Sequence, residues 1–296
     1  MGLNLKFNQF HLKHRKIIQS FIDEFQPCSC EYNFSNLFSW QYVSKLSWSL
    51  YHKRLLIYDN IRKCTLFPLG REFNLEKLVD LSLHLKNSGL NPDVSLVPSG
   101  YIKKFPEIKK YYKIEKERDN AEYIYDVKKL VNLAGKKLHK KRNLISQFKK
   151  KYLDFKIFSF KKKHRQKAIR LTEQLMTRSS KPSQSIIQEY GALTTALNYF
   201  DALGLEGLSI IVNNKLIAFC IFSRLNDLTY DIQFEKADLN FKGAAQIINY
   251  ETAKYLKNNC SYLNKEQDLG IKGLRQAKMS YDPLNLMIPY KLYFYQ

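Results

Sequence analysis

The chain has 296 residues, of which 45% are apolar and 20 Tyr and 19 Phe supply the aromatic bulk; that is enough to build a sizeable core and excludes a globally disordered protein. A formal net charge of +22 is extreme for this length and points to a polyanionic partner such as nucleic acid, an anionic membrane surface or a phosphorylated ligand. The five cysteines are odd in number and form no CxxC pair, and Cys28 and Cys30 are too tightly spaced for a zinc half-site, which excludes a disulfide framework and an ordinary zinc centre. In chain order, the spacing of Phe10, Ile17, Ile18, Phe21, Ile22 and Phe25 predicts a helix over 9–25. A short turn or helix follows at 36–40, then apolar strands over 42–51, 55–58 and 64–68, with His52-Lys53-Arg54 turning the first into the second. Leu75 to Leu90 reads as a helix stopped near Gly89, and strands follow at 94–97, 112–116 and 122–125. These elements make an α+β unit over residues 1–126.

Residues 127–170 form a basic connecting stretch. From Lys128 to Arg170 there are 17 lysines and arginines against one acid, Asp154. The spacing predicts a helical turn over 128–132, a break at Gly135, a helix over 136–152 with Leu138, Leu144, Ile145 and Phe148 inward, and a strand over 154–160. Residues 171–296 form a second unit, with helices over 163–177 and 183–200 joined through Ser180-Lys-Pro182. A meander follows over 207–212, 215–224 and 228–235, its first turn set by Asn213-Asn214. A helix over 241–256, a strand end at 262–264, a helix over 271–281 and a closing strand over 290–295 complete the chain. The longest apolar run, Leu216 to Phe222, is far too short for a membrane span. With no signal-peptide core at the N-terminus, a cytoplasmic protein without a transmembrane segment is expected.

Two strand-to-helix corners hold the candidate chemistry. On the third meander strand, alternation sends Tyr230, Ile232 and Phe234 to the core and lines Asp231, Gln233 and Glu235 along the opposite face. Lys242, Gly243 and Ala244 open the next helix, where free backbone N–H groups favour an anion. In the second corner Asn264 leads to Glu266 and Asp268, two apart and pointing the same way, while Lys265 points opposite. On the following helix Lys272, Arg275 and Lys278 share an edge, and Leu274, Ala277 and Tyr281 read as core. Carboxylates beside an Arg/Lys edge suit an amine or ribose on one side and a phosphate on the other; an internal ion-pair network uses the same residues.

The segments Phe234-Glu-Lys-Ala-Asp238, Asn264-Lys-Glu-Gln-Asp-Leu-Gly270 and Gly273-Leu-Arg-Gln-Ala-Lys-Met-Ser-Tyr-Asp-Pro283 resemble signature segments of the phosphatidylglycerol lysyltransferase C-terminal family. Phe67-Pro-Leu-Gly70 and residues 135–143 resemble its bacterial members without membrane spans. The resemblance implies two tandem acetyltransferase-like (GNAT) units, each a mixed, mostly antiparallel sheet flanked by helices. It implies an aminoacyl or acyl transferase, moving an acyl group from an activated donor, with aminoacyl-tRNA as the expected donor, to an amine or hydroxyl acceptor. Glu235 and Glu266 are then expected as general base or amine anchor. Asp231, Gln233 and Asn264 would bind substrate, Lys236, Arg275 and Lys278 would hold phosphate or a developing oxyanion, and Asp238 and Asp268 would orient these cations. Lys140, Lys141 and Arg142 would begin a phosphate track for tRNA or another polyanion along 128–170. Two other readings use the same residues: a non-catalytic RNA-binding protein on a transferase scaffold, and an acyl-CoA N-acetyltransferase using Lys242–Ala245 as its pyrophosphate cradle. No metal is implied. The family pattern has His where this chain has Gln233, Arg for Lys265 and Glu for Gln267, and a glutamine cannot serve as a base.

Overall fold

The computed structural model describes residues 5–177 and 183–295; the expected Ser180-Lys-Pro182 connection lies outside them. The elements in chain order are β1 (Asn8–Gln9), α1 (Arg15–Phe25), α2 (Phe34–Ser44), β2 (Leu46–Tyr51), β3 (Arg54–Asp59), β4 (Cys64–Leu66), α3 (Leu75–Asn87), β5 (Val94–Val97), α4 (Ser99–Lys104) and β6 (Tyr112–Lys116). They continue with β7 (Glu122–Asp126), α5 (Val127–Asn132), α6 (His139–Lys151), β8 (Lys156–Ser159), α7 (Arg165–Met176), α8 (Gln184–Asn198), β9 (Glu206–Val212), β10 (Lys215–Arg224) and β11 (Thr229–Ala237). The last are α9 (Ala244–Leu256), β12 (Tyr262–Gln267), α10 (Lys272–Met279), β13 (Asn285–Met287) and β14 (Tyr290–Phe294).

The chain divides into two compact units. The first holds the residues up to Glu122, Gln267–Gly270 and the residues from Met287 on; the second holds Tyr123–Glu266 and Ile271–Leu286. The first is built on a sheet of order β1-β2-β3-β4-β5-β14-β6. Local chemistry explains its elements. The Asn33 side chain accepts the Ser35 N–H at 3.2 Å to start α2, and Lys45, at φ 48°, ends it. The residues 42–44, expected at the start of a strand, therefore complete this helix, and β2 begins at Leu46. Asn74 caps α3 through Lys77 N–H at 3.0 Å, and Leu75, Leu78, Leu81 and Leu85 recur at helical spacing on its buried face. The short helix α4 has no counterpart among the expected elements.

The second unit has the sheet order β13-β7-β12-β11-β10-β9-β8. Asn213 and Asn214 turn β9 into β10 with φ 48° and 61°, the left-handed pair such a hairpin demands. One core, on the α5, α6 and α9 side, gathers Phe148, Cys220, Phe222, Ile232, Ile247 and Ile248. On the other, Phe160 packs against Phe200 and Phe219.

Two strands lie elsewhere than expected. The 290–295 strand, read as the closing strand of the second unit, runs between β5 and β6 in the first sheet, antiparallel to both, with Leu292 fully buried. The 122–125 strand, read as part of the first half, pairs in the second sheet. Both corrections concern non-local pairing, which side-chain alternation does not encode. On α10 the face read as core is open: no residue of this helix is buried and Leu274 is 36% exposed. Among the described residues no disulfide joins the five cysteines and no helix is long and apolar enough to cross a membrane.

Candidate functional site

The chemistry of the second unit turns on a β-bulge in β11. Ile221 pairs with Phe234 and Phe222 with Ile232, so Gln233 has no place in the register. The extra residue shifts the alternation by one. Ile232 and Glu235 therefore share a face: Glu235 pairs with Cys220, which belongs to the α9-side core with Phe222 and Ile232. Asp231, opposite Ser223, and Phe234, opposite Ile221, look the other way. The expected polar row Asp231, Gln233, Glu235 is thus split across the sheet.

On the α9 face Glu235 is held from two sides: Lys265 Nζ donates to its Oε2 at 2.9 Å and Asn249 Nδ2 at 3.4 Å. Lys265 comes from β12, whose ladder with β11 runs from Thr229↔Tyr262 to Asp231↔Asn264 while β11 continues to Ala237. The ion pair therefore spans two parallel strands beyond the last paired residues, Asp231 and Asn264. Tyr281 closes this place. The ammonium groups of Lys141 and Lys265 lie 4.1 and 5.6 Å from its ring centroid, and its hydroxyl environment includes the Gln246 side chain. Burial, then the neighbouring Lys265 charge, lowers the Lys141 pKa; burial, then Glu235, raises that of Tyr281. Lys278 Nζ donates to the Lys265 carbonyl at 2.6 Å and sits over Tyr123, while Tyr125 hydroxyl donates to the Lys278 carbonyl at 2.8 Å. Three lysines and one glutamate thus converge on a half-buried aromatic floor. Arg275 is half-buried on the same helix, α10, as Lys278.

Toward the opposite face, carboxylate oxygens of Asp231 and Glu266 lie within 4.8 Å of each other. Asp231 and Asn264 are fully buried and paired in register. Asn264 also fixes Glu266: its Oδ1 accepts the Glu266 N–H at 2.9 Å, holding a non-glycine residue at φ 55°, a strained conformation that needs such support. Glu235 and Glu266, both expected to act on the substrate, stand in separate groups, Glu235 with cations and Glu266 with Asp231.

Other expected residues go elsewhere. Lys236 pairs with Glu189 of α8 at 2.7 Å, and Asp238 with Lys215 at 2.8 Å. Asp268 belongs to the first unit, where Arg118 Nη1 reaches its Oδ2 at 3.1 Å and Gly270 N–H its Oδ1 at 2.9 Å. Gln267 is there too, donating to Glu31 at 3.1 Å. The anion cradle is covered by protein. Gly243, at φ 91°, is so close to α6 that a Cβ would meet the Leu144 carbonyl oxygen at 2.6 Å, and Ala244 is buried; Lys242 remains exposed. The basic stretch is partly tied down. Lys129 and Lys137 reach Asp282 at 2.5 and 2.8 Å and hold its carboxyl below the usual range. Arg142 donates to the carbonyls of Leu133 and Gly135. Lys140 is exposed. Sequence reasoning placed Lys265 away from the site and passed over Asn249 and Gln246; Tyr281, read as core, does pack against the core, and its ring also meets Lys141 and Lys265. The signal for Lys265 was its opposite parity to Glu266 on β12, which matches Glu235 only once the bulge is counted.

Two mixed sheets flanked by helices define a tandem acetyltransferase-like (GNAT) fold, which FemX shares at 8% identity (TM-score 0.63, covering 98% of this chain and 97% of that one). Residues 23–291 match the family described as phosphatidylglycerol lysyltransferase, C-terminal, and the chain belongs to that family. A conserved protein of unknown function from Bacteroides thetaiotaomicron is 28% identical, with a TM-score of 0.92 over 99% of this chain and 100% of that one. L-PGS from Bacillus licheniformis has the same fold at 14% identity, with a TM-score of 0.65 over 94% and 91% of the two chains. A Mycoplasmoides gallisepticum protein without an assigned function is 25% identical over 197 residues, 60% of this chain; the match spans 57% of that relative's length.

Proposed function

We propose that the second unit transfers an aminoacyl group from aminoacyl-tRNA to an amine or hydroxyl acceptor. The observation that carries this reading is the separation of charge about the β11–β12 pair: Lys141, Lys265 and Lys278 with Tyr281 on one side, Asp231 and Glu266 on the other. An aminoacyl ester has the matching polarity. Its ammonium group suits the carboxylate pair, and the ester oxygen and terminal phosphates suit the lysines. Attack of the acceptor on the ester carbonyl develops a tetrahedral oxyanion, and the ribose hydroxyl of the donor leaves. Lys265, fixed by Glu235, which Asn249 holds in turn, stabilises that oxyanion without reorganising. Glu266 anchors the amine or takes the acceptor's proton. Gln233 is assigned no proton transfer, so the absence of a histidine there does not obstruct this scheme. The family membership and the L-PGS and FemX folds support the same class of reaction. The exposed cations of 128–170, Lys140 among them, would contact donor phosphates, and binding should weaken steeply with salt.

The acyl-CoA reading is disfavoured by Gly243, whose contact with Leu144 fills the place a pyrophosphate would need. The test is acyl transfer from a pool of charged tRNAs to amine, hydroxyl and lipid acceptors, with Lys265→Met and Glu266→Gln compared with the wild type. Each substitution is expected to lower the transfer rate by about a hundredfold or more while the protein still folds. RNA retained at low salt with no acceleration of transfer from any charged tRNA would overturn the enzyme reading in favour of a non-catalytic RNA-binding protein.

A further inference from the structure

Among the described residues, the two most exposed large apolar side chains are Leu153, at 87%, and Leu239, at 71%. They are far apart in sequence but belong to adjoining loops at one end of the second unit's sheet. Leu153 lies in the α6–β8 turn, and the next residue, Asp154, accepts the N–H of Asn213 at the β9–β10 hairpin tip, 3.3 Å away. Leu239 follows Asp238, which pairs with Lys215 at the other foot of the same hairpin, 2.8 Å away. The rings of Tyr152 and Phe241, 5.3 Å apart, join the two loops directly. Neither leucine is needed by the core, and each stands on a loop braced by polar contacts.

The charge around them is one-sided. Lys150 and Lys151 precede Leu153, Lys156 opens β8, and Lys242 follows Leu239; all are exposed. Lys167 of α7 reaches the Asn214 carbonyl at 3.5 Å, which puts it at the same hairpin tip. The acids nearby are already engaged: Asp154 with Asn213, Asp238 with Lys215 and Glu251 with Lys149. β8 is the edge of its sheet, and its Ile157 and Phe158 are more than one-third exposed.

We infer that this end of the second unit docks on an anionic lipid bilayer, with Leu153 and Leu239 inserting among the acyl chains and the surrounding lysines lying against the headgroups. Protruding aliphatic side chains within a lysine ring match the layered chemistry of a bilayer surface, apolar beneath and anionic above. A polynucleotide offers phosphates to the lysines but nothing to two isolated leucines, since its apolar recognition runs through stacking on aromatic rings. The inference is independent of turnover by the Glu235–Lys265 site.

The experiment is co-sedimentation of the full chain with phosphatidylcholine vesicles with and without phosphatidylglycerol. Binding is expected only with the anionic lipid and is expected to fall as salt rises. Leu153→Asn and Leu239→Asn should each weaken binding by about tenfold, and Lys150→Glu with Lys151→Glu should abolish it. Since all four side chains are solvent-exposed, unchanged thermal melts will certify folding. Retention on a polyuridine matrix, measured in parallel, separates the two polyanions. Leucine variants that bind vesicles as well as the wild type, or a wild type that binds polyuridine but not anionic vesicles, would overturn the inference.

Discussion

His164 is buried beside α7, where its Nδ1 accepts the Lys161 N–H at 3.1 Å. Protonation there would remove the acceptor, and burial, then the charges of Lys163, Lys167 and Lys161, lowers its pKa from 6.5. The sign follows. With the folded value below the unfolded one, the unfolded chain takes up the proton first. Stability from this residue is complete above pH 6.5 and is lost as the pH falls through the folded value. The melting temperature of the wild type should therefore drop more steeply on acidification than that of His164→Gln; parallel slopes would remove His164 as the cause. At this scale the sequence is a good guide to residue type and a poor one to direction. Asp231 and Asn264 were legible as candidates because polar groups on core strands stand out, and the structure buries both and pairs them. That Glu235 faces α9 was not, since the bulge at Gln233 adds one residue with no compositional mark.

At the scale of the element, the start of α9 separates two uses of small residues. Gly-Ala-Ala at a helix N-terminus is equally good for admitting a ligand and for admitting another helix. Here α6 takes the space, with Leu144 and Phe148 against Gly243. Gly243→Ala should cost about 1–3 kcal/mol, through both the contact and the positive φ, and a urea transition will report it. An unchanged midpoint with weakened donor binding would instead return this turn to the site. Strands and helices with strong local signals, such as β5, β6 and β10, fall where their periodicity puts them. α4 carries a Gly and two lysines over Ser99–Lys104 and buries no residue, so it lacks the apolar stripe by which helices are read.

At the scale of the whole molecule, pairing between distant strands was the least legible feature. Tyr290–Phe294 has the alternation of a strand but nothing that names its neighbours, β5 and β6. Its role can be tested by truncation. Deleting residues from Tyr290 onward removes Leu292 from the core and the Phe294 ring from Tyr112, 5.2 Å away. Amide protection should vanish from β2–β6 and persist in β9–β12; protection retained in both sets would show that β14 is dispensable. The position of β14 also bears on how the protein is made. Domains usually fold in the order in which they are synthesised, but the first unit draws an interior strand from residues that follow the whole of the second unit in the chain. A nascent chain stalled after Leu286 already contains every segment of the second unit and lacks β14 of the first. The first sheet is therefore completed only after every segment of the second unit has been made, and until then its β5 and β6 edges need shielding from other chains.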